Sequence, residues 1–514
     1  MEKKQPFTIK QISKPFKFLL LAIVALNVYF ASWNVLHGNL YFHTDIARDF
    51  LLLQDLIEKK IVLIGERAGV YGVFHGPLWL YINAPAFIIG HGNPVVVAWF
   101  WVLLTIVFLF VSYKIAKHIF SPSVALIFVV LLSSLVITSS AQYTHPQGAF
   151  FIMPVVFFTL WRYVKTNKII FLAAHVLLAG LLIQFEMAAG VPFVILSFIY
   201  VSVFCARRKT PLHLLAYLLV LIPLLTFILF DLRHDFFQLK NFIAYLGEKP
   251  GNSFDLITFI VKRIDYFLTL GAPFVLNRES SLQNKLYVLF FIFFVITLIK
   301  NNTNRLFYLT SFYFIFGYFL LTLTNKGNLQ GHQFLPFVPI VFLAFASIYE
   351  TKFKNQFLVI LSMILITNFV LAQNFITESR AHIYNNRDSW ARLNEIANYV
   401  VSGPEKELGY FTYAPDAYAY QIKYAMLYAS KKHPEKNIVS FQKKPITYLI
   451  AEPPPLLEPW LSEDWWIKEK IKIANNPEEV KEYVNKYKVK KYFLSDEDIK
   501  IPFDPTADTG ISFR

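Results

Sequence analysis

The run FLLLAIVALNVYFASWNV, Phe18–Val35, carries no charged residue, and it is followed almost at once by YFHTDIARDF, Tyr41–Phe50, where an imidazole, a guanidinium and two carboxylates crowd together. An uncharged stretch of this length is close to what crossing the hydrocarbon core of a bilayer requires. A secretory signal would look similar. No small-residue cleavage site follows, however, and ten further apolar runs come after it, so it is expected to persist as the first span. Those runs are Val95–Val111, Val124–Ser139, Gly148–Leu160, Ile169–Ile183, Val191–Cys205, Leu214–Phe230, Leu286–Ile299, Leu306–Leu323, Phe334–Tyr349 and Phe357–Leu371. Most fall short of the roughly 20 residues of a straight span but are bordered by residues able to complete one. Over 514 residues, a composition 56% hydrophobic and only 16% charged lies far from that of soluble proteins. The expectation is a polytopic α-helical membrane protein with about eleven transmembrane helices.

Charge orients the chain. With residues 1–17 as a cytoplasmic N-terminus, the inner segments carry Lys3, Lys4, Lys10, Lys14, Lys17, Lys114, Lys117, Arg162, Lys165, Lys168, Arg207, Arg208, Lys209, Lys300, Arg305, Lys352 and Lys354, against Glu2 and Glu350 alone. The whole formal charge of +15 then falls on one side. The positive-inside rule accounts for that asymmetry, so the basic balance is no sign of nucleic-acid binding. The protein is expected in the plasma (inner) membrane, and an odd number of spans exports its C-terminus.

The membrane domain is expected over residues 18–371, with long outer loops at 36–94 and 231–285, where function is to be sought. Residues 372–514 form an extracytoplasmic domain. Its pattern predicts helices over Ser389–Val401, Asp416–Lys431 and Pro477–Tyr487 and strands over Leu408–Tyr413, Ile446–Ile450 and Lys490–Leu494, a small α/β fold. Pro453–Pro455 should be an extended connector. The single Cys205 has no partner within the chain for a disulfide.

In the charged stretch, Asp45 and Asp49 are four residues apart and Arg48 is three from Asp45, so a short helix places all three on adjacent faces. An aspartate at the outer surface can take a proton from a hydroxyl while a neighbouring cation receives an anionic leaving group. That pairing suits sugar transfer from a lipid phosphate. The same spacing suits a surface ion pair with a helix cap, and spacing alone does not separate the two readings.

A wider pattern runs along Phe18–Leu371. An apolar span is followed by an outer loop with an early aspartate (His43-Thr44-Asp45), then by Phe74-His75-Gly76-Pro77-Leu78-Trp79-Leu80-Tyr81 before the next span. Tyr143-Thr144-His145-Pro146 stands between the third and fourth spans, Phe230-Asp231-Leu232-Arg233-His234 opens the second long loop, and His332-Gln333-Phe334-Leu335-Pro336-Phe337-Val338-Pro339 leads into a late span. In order and topological side these features resemble the PMT/ArnT-type glycosyltransferases of the GT-C superfamily, which use polyprenyl-phosphate-linked sugars. The resemblance implies an inverting transfer to an extracytoplasmic lipid, glycan or protein acceptor, with Asp45 as the base. In that family the aspartate is often followed by glutamate; here Ile46 follows, and the second carboxylate is absent or supplied by Asp49.

Arg233, His234, Lys240, Arg263 and His332 are candidates for gripping the donor phosphate, although basic residues at span ends also snorkel to headgroups. His43, Glu66, His75, Tyr143, His145 and Glu186 are candidates for the substrate cavity, Glu186 being equally placed to cap a helix. A divalent cation held by His43, His75, Glu66 and Asp45 is conceivable, but their spacing fits no metal motif, and no cofactor is required. His175 is expected to hydrogen-bond to a neighbouring helix. Tyr420, Tyr424 and Tyr428 repeat every four residues, as one stripe of a helix packed on a sheet would. A transporter or flippase of lipid-linked sugars would place ionisable residues within the spans, and here the runs hold only His175. An oligosaccharyltransferase would carry Trp-Trp-Asp, and this chain reads Asp464-Trp465-Trp466. A non-catalytic sugar-binding assembly protein is the remaining alternative.

Overall fold

Helices apolar on every face are stable only when buried or surrounded by lipid, and the long helices of this chain are of that kind. The computed structural model describes residues 13–137, 143–247, 255–271, 273–276, 281–300, 304–324, 329–382 and 386–510. In chain order the first helices are α1 (Lys14–Ala31), α2 (Trp33–Leu36), α3 (Thr44–Lys59), α4 (Leu78–Ile89), α5 (Pro94–Ile119), α6 (Pro122–Leu135), α7 (His145–Thr166), α8 (Ile169–Phe185) and α9 (Met187–Arg208). A tight 3-10 segment, Pro211–Leu221, precedes α10 (Leu225–Arg233), α11 (Phe237–Gly247), α12 (Leu256–Leu270), α13 (Ser281–Lys300), α14 (Arg305–Thr322), α15 (Gly331–Phe334), α16 (Val338–Ala346) and α17 (Lys354–His382).

Among the described residues eight helices are long and apolar enough to cross a membrane, or nine if Pro211–Leu221 and α10, bent by 55°, form one span. The sequence led us to expect about eleven. The difference lies in α6 and α8, apolar helices of 14 and 17 residues on which the runs Val124–Ser139 and Ile169–Ile183 fall; Ser139 itself is outside the described residues. α6 is buried along nearly its whole length, so its apolarity serves packing as well as any contact with lipid. Asn27 on α1 donates to Ser133 Oγ at 2.9 Å and Ser134 Oγ at 3.1 Å on α6. His175 on α8 donates from Nδ1 to the Val156 carbonyl (2.9 Å) and meets Ser197 Oγ through Nε2 (2.6 Å). These buried polar groups are satisfied between neighbouring helices.

The chain divides into two compact units. One comprises residues 1–32, 63–79 and 101–376, the other 33–62, 80–100 and 377–514. The first expected outer loop therefore contributes to both. α17 continues past Leu371, and the unit boundary falls at Thr377.

The second unit continues with α18 (Trp390–Val401), β1 (Glu407–Tyr413), α19 (Tyr420–Ser430), β2 (Asn437–Ser440), β3 (Ile446–Ala451), α20 (Glu463–Trp466), β4 (Glu479–Glu482), β5 (Lys488–Phe493) and α21 (Asp496–Lys500). Its sheet has the order β2-β1-β3-β5-β4, with β1 parallel to β2 and β3, and β5 antiparallel to β3 and β4. Phe411, Leu449, Tyr492 and Trp466 share one core on this sheet.

Two local expectations are corrected. Pro477–Tyr487 is not a helix: Glu479–Glu482 is β4, paired to β5 through a turn in which Tyr483 N–H donates to the Tyr487 carbonyl at 2.9 Å and Lys486 takes a φ of 67°. The run Glu478-Glu479-Val480-Lys481-Glu482 carries no strand period, and its pairing with β5 is what makes it a strand. The tyrosine stripe of α19 packs on helices rather than on the sheet. Tyr424 lies against Phe42, Phe50 and Trp390, with its hydroxyl donating to the Gly92 carbonyl at 2.5 Å. α19 itself starts only at Tyr420, because Asp416 Oδ1 accepts the Tyr418 and Ala419 amides in a turn before it.

Glu452, directly after β3, accepts from the Tyr487 hydroxyl (3.2 Å) and faces Arg387 at 3.5 Å. Burial, opposed by Arg387 and assisted by Asp416 and Asp388, pushes its carboxyl up to about 7 from the ordinary 4.5. A carboxyl raised on folding binds its proton more tightly in the native state, so stability is greatest below about pH 4.5, falls as pH rises to about 7, and is level beyond. Glu452→Gln is expected to flatten that slope, gaining at most about 3 kcal/mol above neutrality. Thermal melts of the full chain between pH 5 and 8 test this, and an unchanged slope would assign the titration elsewhere.

Candidate active site

Four segments of the first unit converge on one polar cluster. In the first, residues 63–79 fold back on themselves: Gly65 N–H donates to the His75 carbonyl (2.8 Å), His75 N–H to the Glu66 carbonyl (2.9 Å), and Gly72 turns the tip at a φ of 69°. Glu66 and His75 are brought side by side. A Cβ on Gly65 would strike the Gly76 carbonyl, and one on Gly76 would strike Gln184. Gly76 N–H also donates to the Gln184 carbonyl at 2.9 Å, which ties the turn to the end of α8. Gly76→Ala is expected to cost about 1–3 kcal/mol by overpacking, read as a lower melting temperature of the purified protein; an unchanged melt would show that Gln184 yields freely.

The second segment is the start of α7. Thr144 N–H donates to Gln147 Oε1 at 3.0 Å, and Pro146 in the first turn lacks the amide that would go unsatisfied there. Gly148 lets the Phe185 ring lie directly on the helix, which holds His145 close to the α8–α9 junction. That junction is the third segment. Glu186 adopts extended backbone, ends α8, and caps α9 by accepting the Ala188 amide on Oε1 at 3.2 Å. The fourth is α15, fixed by the Tyr318 hydroxyl donating to the Gln333 carbonyl at 3.0 Å.

His145 lies between two carboxylates: its Nδ1 meets Glu66 Oε1, and its Nε2 is 3.7 Å from Glu186 Oε2. His332 Nε2 approaches the same Glu186 oxygen at 3.8 Å, and the His75 ring lies tilted by 34° against His145 at 4.1 Å between centroids. The side chains of Glu66 and Glu186 are 0% and 2% exposed, whereas that of His332 is 47% exposed. The cluster thus has a buried acidic floor and an imidazole at its open edge. Carboxylates removed from water need cationic or hydrogen-bonding partners, and His145 is the polar group that stands between these two.

The second unit holds the other charged group. His43 caps α3, its Nδ1 accepting the Asp45 amide at 3.2 Å, and burial holds this imidazole below its usual range, as an acceptor nitrogen requires. Arg48 Nη1 lies 2.9 Å from Asp45 Oδ1 and Nη2 3.2 Å from Asp49 Oδ1. Asp45 is 59% exposed and Asp49 only 6%. Asp49 anchors the guanidinium from inside, and Arg48 fixes the rotamer of an aspartate that remains open to other molecules.

The remaining candidates lie elsewhere. Tyr143 is buried, with its hydroxyl on Thr105 Oγ1 at 2.8 Å, and serves packing of α5. Arg263 is buried over the Phe259 ring at 4.5 Å. Arg233 and Lys240 are exposed on α10 and α11, and His234 donates to the Phe230 carbonyl at 2.8 Å. Among the described residues no ion pair joins these to the cluster, and no group of three or more His, Cys, Asp or Glu residues is arranged to hold a metal ion.

No family model and no curated protein sequence matches the chain. Solved structures do. ArnT from Cupriavidus metallidurans in the apo state superposes with a TM-score of 0.60 at 12% identity, covering 93% of this chain and 98% of that one. The fold is that of ArnT. The same enzyme bound to undecaprenyl phosphate gives 0.59 at 11% identity, over 94% and 99% of the two chains. The Archaeoglobus fulgidus oligosaccharyltransferase with zinc and sulfate gives 0.46 at 12% identity, over 84% of this chain and 68% of that one.

The fold expected from the motifs is thus the one that the ArnT structures have. Within the ArnT fold, the sequence motifs around His75, His145 and His332 mark three of the four converging segments. Their mutual contact, and the parts of Gln184 and Tyr318, had no sequence signal. Both are lone polar residues in or beside apolar runs, and only the tertiary approach of α8 and α14 gives them a role.

Proposed function

We propose that the chain is an integral membrane glycosyltransferase that moves a sugar from a polyprenyl-phosphate donor to an extracytoplasmic acceptor, inverting the anomeric carbon. The ArnT fold over nearly the whole chain supports the reading, since one ArnT structure is bound to undecaprenyl phosphate. The observation that carries it is the pair of buried carboxylates, Glu66 and Glu186, bridged by His145 and opening at His332. Such a cluster is costly to bury and is retained where charge is handled.

In this reading the open oxygen of Asp45 takes the acceptor hydroxyl's proton as that oxygen attacks the anomeric carbon. The bond from that carbon to the lipid-phosphate oxygen breaks, and its electron pair leaves with the phosphate. His332, backed by Glu186, donates to the departing oxygen. Arg48 positions Asp45. Beyond that proton transfer, the protein contributes positioning and charge stabilisation.

Reconstitution in liposomes with radiolabelled polyprenyl-phosphate sugars, followed by analysis of glycans and lipids, tests the activity. Tight donor binding without any transfer would favour the sugar-binding alternative. Topology is tested by reporter tags at Lys209 and at Arg514, the latter outside the described residues. Labelling on opposite sides of the membrane is expected, and labelling on the same side overturns the orientation.

A further inference from the structure

At the N-terminal end of α1, a groove of about 440 Å³ separates α1 from α5 and is floored by α6. Its walls include Lys17, Val24 and Val28 from α1 and Ile106, Phe110 and Tyr113 from α5. The helices are not free to close it, because Asn27 pins α1 to Ser133 and Ser134 of α6. Protein interiors do not sustain apolar voids of this size, and an apolar groove excludes water. Beside it α1 exposes Phe18, Leu19 and Leu21, a face suited only to hydrocarbon.

The groove's length and charge select its occupant. From Lys17 to Val28 the helix rises about 16 Å, roughly half of a ~30 Å hydrocarbon core and therefore the depth of one leaflet. Its polar end has Lys17 in the wall and Lys114 beside it, the Lys114 ammonium lying 5.1 Å from the Phe110 ring centroid. Among the described residues no acidic one lines it. We propose that the groove holds one acyl chain of an anionic phospholipid whose phosphate pairs with Lys17, a lipid that completes the packing of α1. The site does not depend on the enzymatic reading.

Native mass spectrometry of the full-length protein in mild detergent, with phosphatidylglycerol and phosphatidylcholine added in equal amounts, tests it. One phosphatidylglycerol is expected to be retained, about five-fold or more in preference to phosphatidylcholine. Lys17→Glu should abolish the preference, and Val24→Trp, which fills the groove, should remove the lipid; Ile106→Trp does the same from the opposite wall should the first variant fail to fold. The proposal is overturned if the wild type retains no lipid, if both tryptophan variants retain it, or if Lys17→Glu leaves the preference intact. It is equally overturned if an added polyprenyl phosphate is retained in place of phosphatidylglycerol, or if Val24→Trp instead dissociates a dimer.

Discussion

Asp45→Asn is expected to lower sugar transfer by about 10²–10⁴-fold, the range a positioned general base contributes, while the protein still inserts and folds. The substitution is nearly isosteric, and the asparagine carbonyl can still accept from Arg48 at the position now taken by Asp45 Oδ1. The side chain is more than half exposed, so the altered ion pair should cost well under about 1 kcal/mol. What disappears is the capacity to accept a proton. Asp49→Asn provides the contrast: its carboxylate is buried against the same guanidinium, so its loss should be felt first in stability and in the placement of Asp45. The pair of variants, compared for transfer rate and melting temperature, separates the two aspartates. Transfer by Asp45→Asn at the wild-type rate would remove it from the mechanism.

Much of this architecture is legible in the chain because lipid is a simple solvent, in which long uncharged runs must be helical. The Asp45–Arg48–Asp49 grouping is legible for a similar reason, since helical spacing alone sets it. Which of the two aspartates is open is not, because their exposure depends on what packs over α3. The phosphate candidates show the opposite limit. Arg233, Lys240 and Arg263 are, like His332, basic residues expected near the outer interface, yet Arg263 is buried on an aromatic ring, Arg233 and Lys240 face outward, and of these four His332 meets Glu186. Glu186 itself was ambiguous between a helix cap and a cavity residue. In the structure one carboxylate oxygen caps α9 and the other faces the histidines. In the second unit, a run of charge broken only by Val480 hid β4 behind a helix-like composition, and partners distant in sequence decided which face of α19 was buried.

His145→Ala is expected to be the most destabilising single change in the cluster, at about 3–5 kcal/mol, because it leaves Glu66 and Glu186 buried around a hole where their common imidazole neighbour stood. The alternative is that His145 matters only for volume, and the two are separable. If charge is at issue, Glu66→Gln combined with His145→Ala should recover part of the loss, since removing a buried carboxylate relieves the penalty its partner's removal created. If volume is at issue, the double variant should be no more stable than His145→Ala. His332→Ala makes the complementary case: nearly half exposed, it should melt within about 1 kcal/mol of the wild type, yet slow transfer by about 10²–10³-fold if it donates to the leaving phosphate. That loss should appear in kcat and leave the acceptor KM unmoved, since the hydrogen bond strengthens only as charge develops on the departing oxygen. A fall in stability without a fall in kcat would make His332 a structural partner of Glu186 and shift the phosphate contact to another residue.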